Sequence, residues 1–416
     1  MVKLSRRALG GAAALLLLAM PAQAADPIKV GMSLALTGAG APAGKMLQAA
    51  IEIWRDDINA KGGLLGRPVE VIVYDDQSIP AGVPGLYTKL ISVDKADLLL
   101  GPYGSNFVAP AMPTLIQNKK MTISFTAIGI NDEYKYDKYF SMVPVGSDGV
   151  NSFSKGFFEI AAQQKPKPQT VAIIAADAEF GQSAAAGARE ELKKHGFKLI
   201  FDKSYPPSTT DFTPVMRAVQ AANADIVYAG AYPPDSVGLV RAANEVGLNP
   251  KMFGGAMIGM LVTPLKVQLG PITNGLVIQE SFVPAPKLTF PGLDELMVRY
   301  QAKAPELKTD AIGYAFVPFG YSNGQILEQA VTATKSLDHD VLAKYIHANS
   351  FKTVVGELAF GKDGEWSKPR MVLTQFQNIQ PNNVEQFKKG EHQPILYPPE
   401  YKSGDLIYPY ENARKK

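Results

Sequence analysis

The segment Leu98–Phe107 has the residue types that could bind a carboxylate. Its first residues form a short apolar run, typical of a buried strand, and Gly101 and Pro102 end that run. Ser105 or Asn106 can then cap a helix. Such a junction directs free backbone N–H groups and a hydroxyl at one point, which in an open α/β sheet lies at the carboxyl ends of the strands. We therefore expect one wall of a binding cleft here; the alternative is an ordinary turn in which Ser105 is only an N-cap.

A second glycine-rich segment, Gly38–Gly44, has the outline of a dinucleotide-binding loop. It lies between an expected strand and an expected helix, and Asp75 and Asp76 end the next strand. However, its glycines follow a GxGxxxG spacing, Pro42 interrupts the loop, and the acidic pair comes later than the roughly 20 residues that a ribose contact needs. The pattern disfavours a nucleotide site, and we expect no cofactor.

Hydrolytic and metal chemistry find little support in the sequence. Ser105 lies in Tyr-Gly-Ser-Asn-Phe, which is not the GxSxG pattern of a nucleophile elbow. The chain has no cysteine, and its histidines show no HExxH or paired spacing for a metal (His195, His339, His347 and His392). We expect a binding protein without catalytic or metal-ligating residues, and an exported hydrolase is the alternative from another class.

The first 24 residues have the pattern of a cleavable export signal. Three positive charges precede the apolar run Ala12–Met20, and Ala22–Ala24 fits a small-x-small cleavage site. Ser5–Arg7 leaves twin-arginine export open as the route. Residues 1–24 hold no acidic residue, so their removal changes the formal net charge from +3 to 0. A neutral mature chain gives no support to nucleic-acid or polybasic membrane binding.

The remaining chain alternates between strands and helices in two successive blocks. Strands are expected at 28–34, 69–74, 98–100 and 121–125 in the first block, and at 170–175, 198–203, 225–229 and 252–255 in the second. Helical spacing fills the intervals, as with Leu47, Ile51, Trp54 and Ile58 on one face. This rhythm predicts an α/β fold of two lobes, each a doubly wound, mostly parallel sheet.

The last third of the chain is expected to join the two lobes. Residues 260–290 are rich in Pro and Gly and predict a crossing, and helices at 293–303 and 315–334 return to the first lobe. Several crossings would form a hinge. The expected domains are a signal peptide at 1–24, an N-terminal lobe at 25–145 and 283–352, a C-terminal lobe at 146–282 and 353–389, and a surface tail at 390–416.

Several motifs carry a resemblance to a known family. They begin with Val30–Met32, Leu36–Gly38 and the run Asp57–Val69, which reads DINAKGGLLGRPV. They continue through Gly101-Pro102 with Ser105, Ser124 to Ala127, Asp177 to Gly181, Phe212, Tyr228 to Pro233, Gly356 to Phe360, and Asp363-Gly364. With these residues the chain resembles the periplasmic branched-chain amino-acid binding proteins, the type I solute-binding proteins of ABC importers, over nearly all of its mature length.

The resemblance implies roles for individual residues. Ser105 matches the serine whose hydroxyl and neighbouring amide hold the ligand carboxylate, and Thr126 matches a residue that contacts the ligand through its backbone. Phe180 stands where leucine-type binders usually have a tyrosine, and Tyr232 lies in the loop that closes over the ligand. The other expected ligand contacts are Tyr103, Asn106, Phe107, Ala127, Ile128 and Met257.

The chain also departs from the family pattern. Amino-acid binders commonly carry an acid after the Phe-x-Gly strand to pair with the ligand's ammonium group, but residues 254–260 contain none. Ile128 replaces an expected threonine, and Ala43 fills a position often held by tyrosine. A buried ammonium without an anionic partner costs several kcal/mol. The expected ligand is therefore an aromatic or apolar carboxylic acid, which suggests an aromatic-carboxylate subgroup.

Two alternatives remain open for the function. A branched-chain amino acid could still bind if Asp132, Asp177 or Glu280 supplied the missing charge. A ligand-sensing module that regulates a partner protein is the other. In the main interpretation the protein is a monomer of the periplasm whose partners are the small carboxylate and the permease subunits of an ABC transporter.

Overall fold

The computed structural model describes residues 26–415. The expected signal peptide, residues 1–24, lies outside these residues. Among residues 26–415, no helix combines the length and apolar character needed to cross a membrane.

The strands and helices alternate through most of the chain. The strands are β1 (Ile28–Leu34), β2 (Val69–Asp75), β3 (Leu98–Leu100), β4 (Thr122–Ser124), β5 (Tyr139–Ser141), β6 (Thr170–Ala176), β7 (Lys198–Tyr205), β8 (Ile226–Ala231), β9 (Met252–Met257), β10 (Val277–Glu280), β11 (Ser350–Thr353), β12 (Gly356–Ala359), β13 (Val372–Gln375) and β14 (Ile395–Tyr397). The helices are α1 (Ala41–Ala60), α2 (Val83–Ser92), α3 (Ser105–Gln117), α4 (Ile130–Tyr134), α5 (Gly149–Ala162), α6 (Glu179–Lys194), α7 (Thr213–Ala222), α8 (Pro233–Glu245), α9 (Thr263–Leu269), α10 (Leu293–Leu307), α11 (Val317–Thr334), α12 (His339–Ala348) and α13 (Tyr410–Arg414).

The first lobe is built on a parallel sheet in the order β2-β1-β3-β4-β5. Its inner strands β1, β3 and β4 are almost wholly buried because helices cover both faces of the sheet. In β3, Leu98 and Leu100 pack in one hydrophobic cluster while Leu99 packs in another, as the alternation of side chains along a strand requires. The sheet therefore separates two layers of helices, and its strands end at a common edge.

The second lobe is built on a sheet in the order β14-β13-β10-β9-β8-β6-β7. Strands β6 to β10 are parallel, whereas β13 runs antiparallel to β10 and β14 runs antiparallel to β13. The chain passes between the two sheets after β5, after β10 and before β13. These two sheets and their crossings confirm the predicted two-lobed α/β architecture.

Three expectations for the last third of the chain are corrected. The segment 260–290 is not only a crossing, since β10 within it pairs with β9. The boundary expected after residue 352 would divide the hairpin of β11 and β12, which packs beside α11. The expected surface tail adds β14 to the edge of the second sheet and buries Ile395 and Tyr410. These strands were not predicted because their apolar runs are short, and a short run shows no clear alternation of apolar and polar residues.

Helix α11 returns the chain to the first lobe by packing against α1. Trp54 of α1 is fully buried, and a Cβ atom added to Gly324 of α11 would lie 2.2 Å from its indole ring. Glycine is therefore required at this position because the two helices approach closely across a rigid aromatic side chain.

We expect Gly324→Ala to lower the free energy of unfolding by about 1–3 kcal/mol, the usual cost of overpacking a core. Urea unfolding followed by the fluorescence of Trp54 would measure the change in a Trp366→Phe background. Gly82→Ala is a matched control, since an added Cβ there meets no atom within 4 Å. Equal stability of the two variants would contradict the close approach.

Candidate functional site

A cavity of about 590 Å³ lies where loops of both lobes meet at the carboxyl ends of their strands. This volume lies within the range of small-molecule sites. The first lobe contributes Ala39, Gly40, Ser78, Pro80, Tyr103 to Phe107, Thr126 to Ile128, Val143 and Phe316, and the second contributes Phe153, Ala178, Phe180, Pro207 to Thr210, Tyr232 to Asp235, Ile258, Leu261 and Ser281.

The turn between β3 and α3 presents free backbone donors to this cavity. Gly104 has φ = +90°, a conformation that suits glycine, and α3 starts at the next residue. The carbonyl of Gly104 accepts hydrogen bonds from the N–H groups of Phe107 and Val108. The N–H groups of Ser105 and Asn106 have no acceptor within residues 26–415. The positive end of the helix dipole adds to these donors, so the turn favours an anionic group.

The hydroxyl of Ser105 joins this turn to the loop after β4. Its Oγ accepts a hydrogen bond from the Ile128 N–H at 2.9 Å and donates one to the Ile128 carbonyl at 3.3 Å. The same two loops are joined again where the N–H of Gly104 donates to the Thr126 carbonyl at 2.8 Å. The side-chain Oγ1 of Thr126 is buried without a hydrogen-bond partner among the described residues. Ser105 therefore positions the loop of Thr126 to Ile128, in addition to any role toward a ligand.

Aromatic rings from both lobes form the walls. In the first lobe, Tyr103 packs edge-on against Phe316 with ring centroids 5.5 Å apart. In the second, Phe180 packs edge-on against Phe153 at 5.5 Å and against Tyr232 at 5.8 Å. Such rings offer a large apolar surface with defined orientation, which suits a flat or branched apolar ligand.

Two tyrosine hydroxyls add neutral donors. The Tyr232 hydroxyl accepts a hydrogen bond from the Phe180 N–H at 3.2 Å, and no acceptor for its own proton is found in the part of the chain that the structure describes. Burial raises the pKa of Tyr232 to about 12, and burial also raises the pKa of Tyr103. Both hydroxyls therefore stay protonated at neutral pH and can donate to a ligand.

The residues expected to contact a ligand fall mostly on this one cavity. Those that line it are Tyr103, Ser105, Asn106, Phe107, Thr126, Ala127, Ile128, Phe180 and Tyr232. The exception is Met257, which is fully buried in the core at the end of β9, while the next residue, Ile258, lines the cavity instead. Successive side chains of a strand point to opposite sides, so the prediction missed the cavity by one position.

The acids considered as ammonium partners do not line the cavity. Asp132 and Asp177 lie outside its lining, and Glu280 is buried elsewhere in the second lobe with its Oε1 4.0 Å from Lys266 Nζ. Asp235, in the first turn of α8, does line it. Asp235, Phe153 and Phe316 also line the cavity and were not among the expected site residues. The sequence feature that could have pointed to Asp235 is its position three residues after Tyr232, where a strand ends and a helix begins.

A second cavity, of about 470 Å³, lies at the amino ends of β3 and β4. It is lined by Ile91, Lys95, Ala96, Asp97, Lys119, Lys120, Leu337, Asp338, His339 and Asp340. Burial and the nearby Lys120 ammonium lower the pKa of His339 to about 4. Because ligands of open α/β sheets bind at the carboxyl ends of the strands, the larger cavity is the candidate site.

Comparisons with known proteins agree with this architecture. A family model described as a periplasmic binding protein matches residues 27–380. The Leu/Ile/Val-binding protein of Escherichia coli (strain K12) is 27% identical over 346 residues, which cover 82% of this chain and 88% of that protein.

Two solved structures share the fold. One is a periplasmic binding protein from Burkholderia mallei, with a TM-score of 0.76 and 20% identity over 94% of this chain and 98% of that chain. The other is a solute-binding protein of an ABC transporter from R. palustris, solved in complex with benzoate, with a TM-score of 0.74 and 18% identity over 91% of this chain and 98% of that chain. At these identities the similarity concerns the fold.

Proposed function

The chain belongs to the periplasmic binding protein family, and from this premise we propose that it captures a small aromatic or apolar carboxylic acid between its lobes. The lobes close on the ligand, and the closed complex delivers it to the permease subunits of an ABC transporter. No bond is made or broken. The protein acts as a monomer in the periplasm. The export signal at residues 1–24 directs the chain to that compartment.

One observation carries the choice of ligand: the cavity pairs free neutral donors with aromatic walls. The donors are the N–H groups of Ser105 and Asn106 and the hydroxyls of Tyr103 and Tyr232. No Lys, Arg or His lines the cavity among the described residues. A helix N-terminus can hold a carboxylate without a basic side chain, as it does other anions. The apolar remainder of the ligand would then pack against Phe180 and the rings beside it.

Calorimetric titration of the mature chain tests this function directly. The panel contains benzoate, 3- and 4-hydroxybenzoate, phenylacetate, leucine, isoleucine and valine, with benzamide as a ligand of similar shape that lacks the negative charge. We expect aromatic acids to bind and to raise the melting temperature, because a ligand that binds only the folded state stabilises it. Benzamide should bind far more weakly.

A branched-chain amino acid is the second candidate. Two observations support this candidate. The Leu/Ile/Val-binding protein of E. coli is a relative of this chain. In addition, Asp235 lines the cavity wall and is an acid that can pair with an ammonium group. Binding of leucine together with no binding of any aromatic acid would overturn the main proposal in favour of this one.

A further inference from the structure

Among the described residues that line the cavity, Asp235 is the only one with a carboxylic acid or a basic side chain. It lies in the first turn of α8 and is only 5% exposed. Burial raises the pKa of its carboxyl, since removal from water disfavours the charged form. Burying an acid in an otherwise uncharged cavity wall costs free energy, and a ligand group that donates a hydrogen bond to it would offset that cost.

The two oxygens of this carboxyl have different surroundings. Its Oδ2 accepts a hydrogen bond from the Tyr205 hydroxyl at 3.2 Å and another from the Tyr232 N–H at 3.4 Å. Its Oδ1 accepts none from any other residue between 26 and 415. The two donors fix the orientation of the carboxyl, and the bond that Oδ2 accepts from the N-cap Tyr232 N–H closes the first turn of α8. Oδ1 is left without a donor from another described residue.

The donors and this acceptor belong to different lobes. Ser105 and Asn106 present their N–H groups from the first lobe, whereas Asp235 belongs to the second. A ligand that places its carboxylate on the first lobe turns its other end toward the second. A ligand whose far end is entirely apolar would exclude water from Oδ1 without replacing its hydrogen bond, and a site built to pair with a polar group rejects such analogues strongly.

We propose that Asp235 selects acids that carry a hydrogen-bond donor away from their carboxylate. This inference rests on the proposed function and narrows its ligand class. The donor can be a hydroxyl or an ammonium group, which share the chemistry that a carboxylate oxygen accepts. Asp235 is therefore a specificity-determining residue of the second lobe.

The test compares ligands of equal size that differ only in the donor. Calorimetric titration of the full mature chain would use 4-hydroxybenzoate against 4-methylbenzoate, and 3-hydroxybenzoate against 3-methylbenzoate, with 4-(aminomethyl)benzoate against 4-ethylbenzoate as the ammonium arm. We expect the wild-type protein to bind at least one hydroxybenzoate, or 4-(aminomethyl)benzoate, about 10-fold or more tightly than its alkyl counterpart. The arm that binds more tightly identifies the donor.

The variant Asp235→Asn is expected to remove this preference. Because the Tyr205 hydroxyl and the Tyr232 N–H both donate, the amide oxygen would face them, and its NH2 group would take the place of Oδ1. The affinity for the donor-bearing acid should fall about 10-fold or more, while the affinity for the methyl acid should change by less than about 3-fold. A loss of general structure would weaken both ligands equally, so the ratio isolates the role of Asp235.

Asp177→Asn is the matched control, since Asp177 lies outside the cavity lining and bonds to Gln182 at 2.9 Å. It should leave every affinity unchanged. Equal affinity of the wild-type protein for every donor-bearing acid and its alkyl counterpart, the ammonium arm included, would overturn the inference and leave the proposed function standing. Should Asp235→Asn fail to fold, equal affinities in the wild-type protein would still overturn the inference. If the wild-type protein binds no acid of the panel, the proposed function fails and this inference fails with it.

Discussion

Ser105→Pro is expected to weaken carboxylate binding at least about 100-fold, and Ser105→Ala only about 10-fold. Ser105 is the first residue of α3, a position where proline is well tolerated because its missing N–H would not bond within the helix. The proline variant removes the free N–H together with the hydroxyl, whereas the alanine variant removes the hydroxyl alone. A hydrogen bond to a charged group contributes about 1.5–3 kcal/mol, which sets the expected difference.

Calorimetric titration with the acid that the wild-type protein binds most tightly would measure both affinities. The alanine variant is the matched control, since both variants lose the two hydrogen bonds that Ser105 makes to Ile128. Thermal unfolding of each variant checks that the fold is kept. Equal affinities of the alanine and proline variants would show that the free N–H of residue 105 does not hold the carboxylate.

Lys266→Met is expected to destabilise the folded protein by about 3–5 kcal/mol. Lys266 and Glu280 are both buried in the second lobe, and Gln393 bridges them by accepting from Lys266 Nζ at 2.9 Å and donating to Glu280 Oε1 at 3.0 Å. Removing the lysine leaves a buried carboxyl without a cation. The double variant Lys266→Met/Glu280→Gln should recover most of the loss, because a neutral pair of similar shape carries no buried charge.

The loss of folding stability in Lys266→Met should depend on pH, and the direction of that dependence follows from the pKa of Glu280. Burial raises the pKa of Glu280 from 4.5 to about 7 in the folded protein, and the lysine opposes this shift. Without Lys266 the folded-state pKa should be higher still, so the folded state binds more protons than the unfolded state between pH 4.5 and that value. Stability therefore falls as the pH rises through this window and is least reduced below it.

Urea unfolding at pH 5 and pH 8 would measure this effect as the difference between the single and the double variant. We expect a clearly larger difference at pH 8. Both variants lack the lysine stem that packs near Phe376 and Phe387, so its loss cancels in this difference. A difference that does not change with pH would therefore mean that ionisation of the unpaired Glu280 is not the cause of the loss.

The sequence predicted much of the first lobe and of the turn between β3 and α3. Alternating apolar strands and helices with regular spacing are local patterns, so β1 and β3 were predicted at their observed bounds, and the predicted apolar face from Leu47 to Ile58 lies within α1. The turn before Ser105 was also local, because an apolar run, a Gly-Pro break and a polar helix start follow one another along the chain. Its free N–H groups are consistent with that prediction.

The tertiary structure decided which distant residues meet that turn. Phe153, Asp235 and Phe316 come from three separate segments, and no local pattern shows that they line one cavity with Ser105. Met257 was expected there because it follows a strand, yet the alternation along β9 turns it into the core. The sequence determines the strands, the helices and the donors at each turn, because these depend on neighbours a few residues apart. The position of Asp235 in the wall, and the burial of Glu280 away from it, depend on the packing of two lobes whose segments lie far apart in the chain.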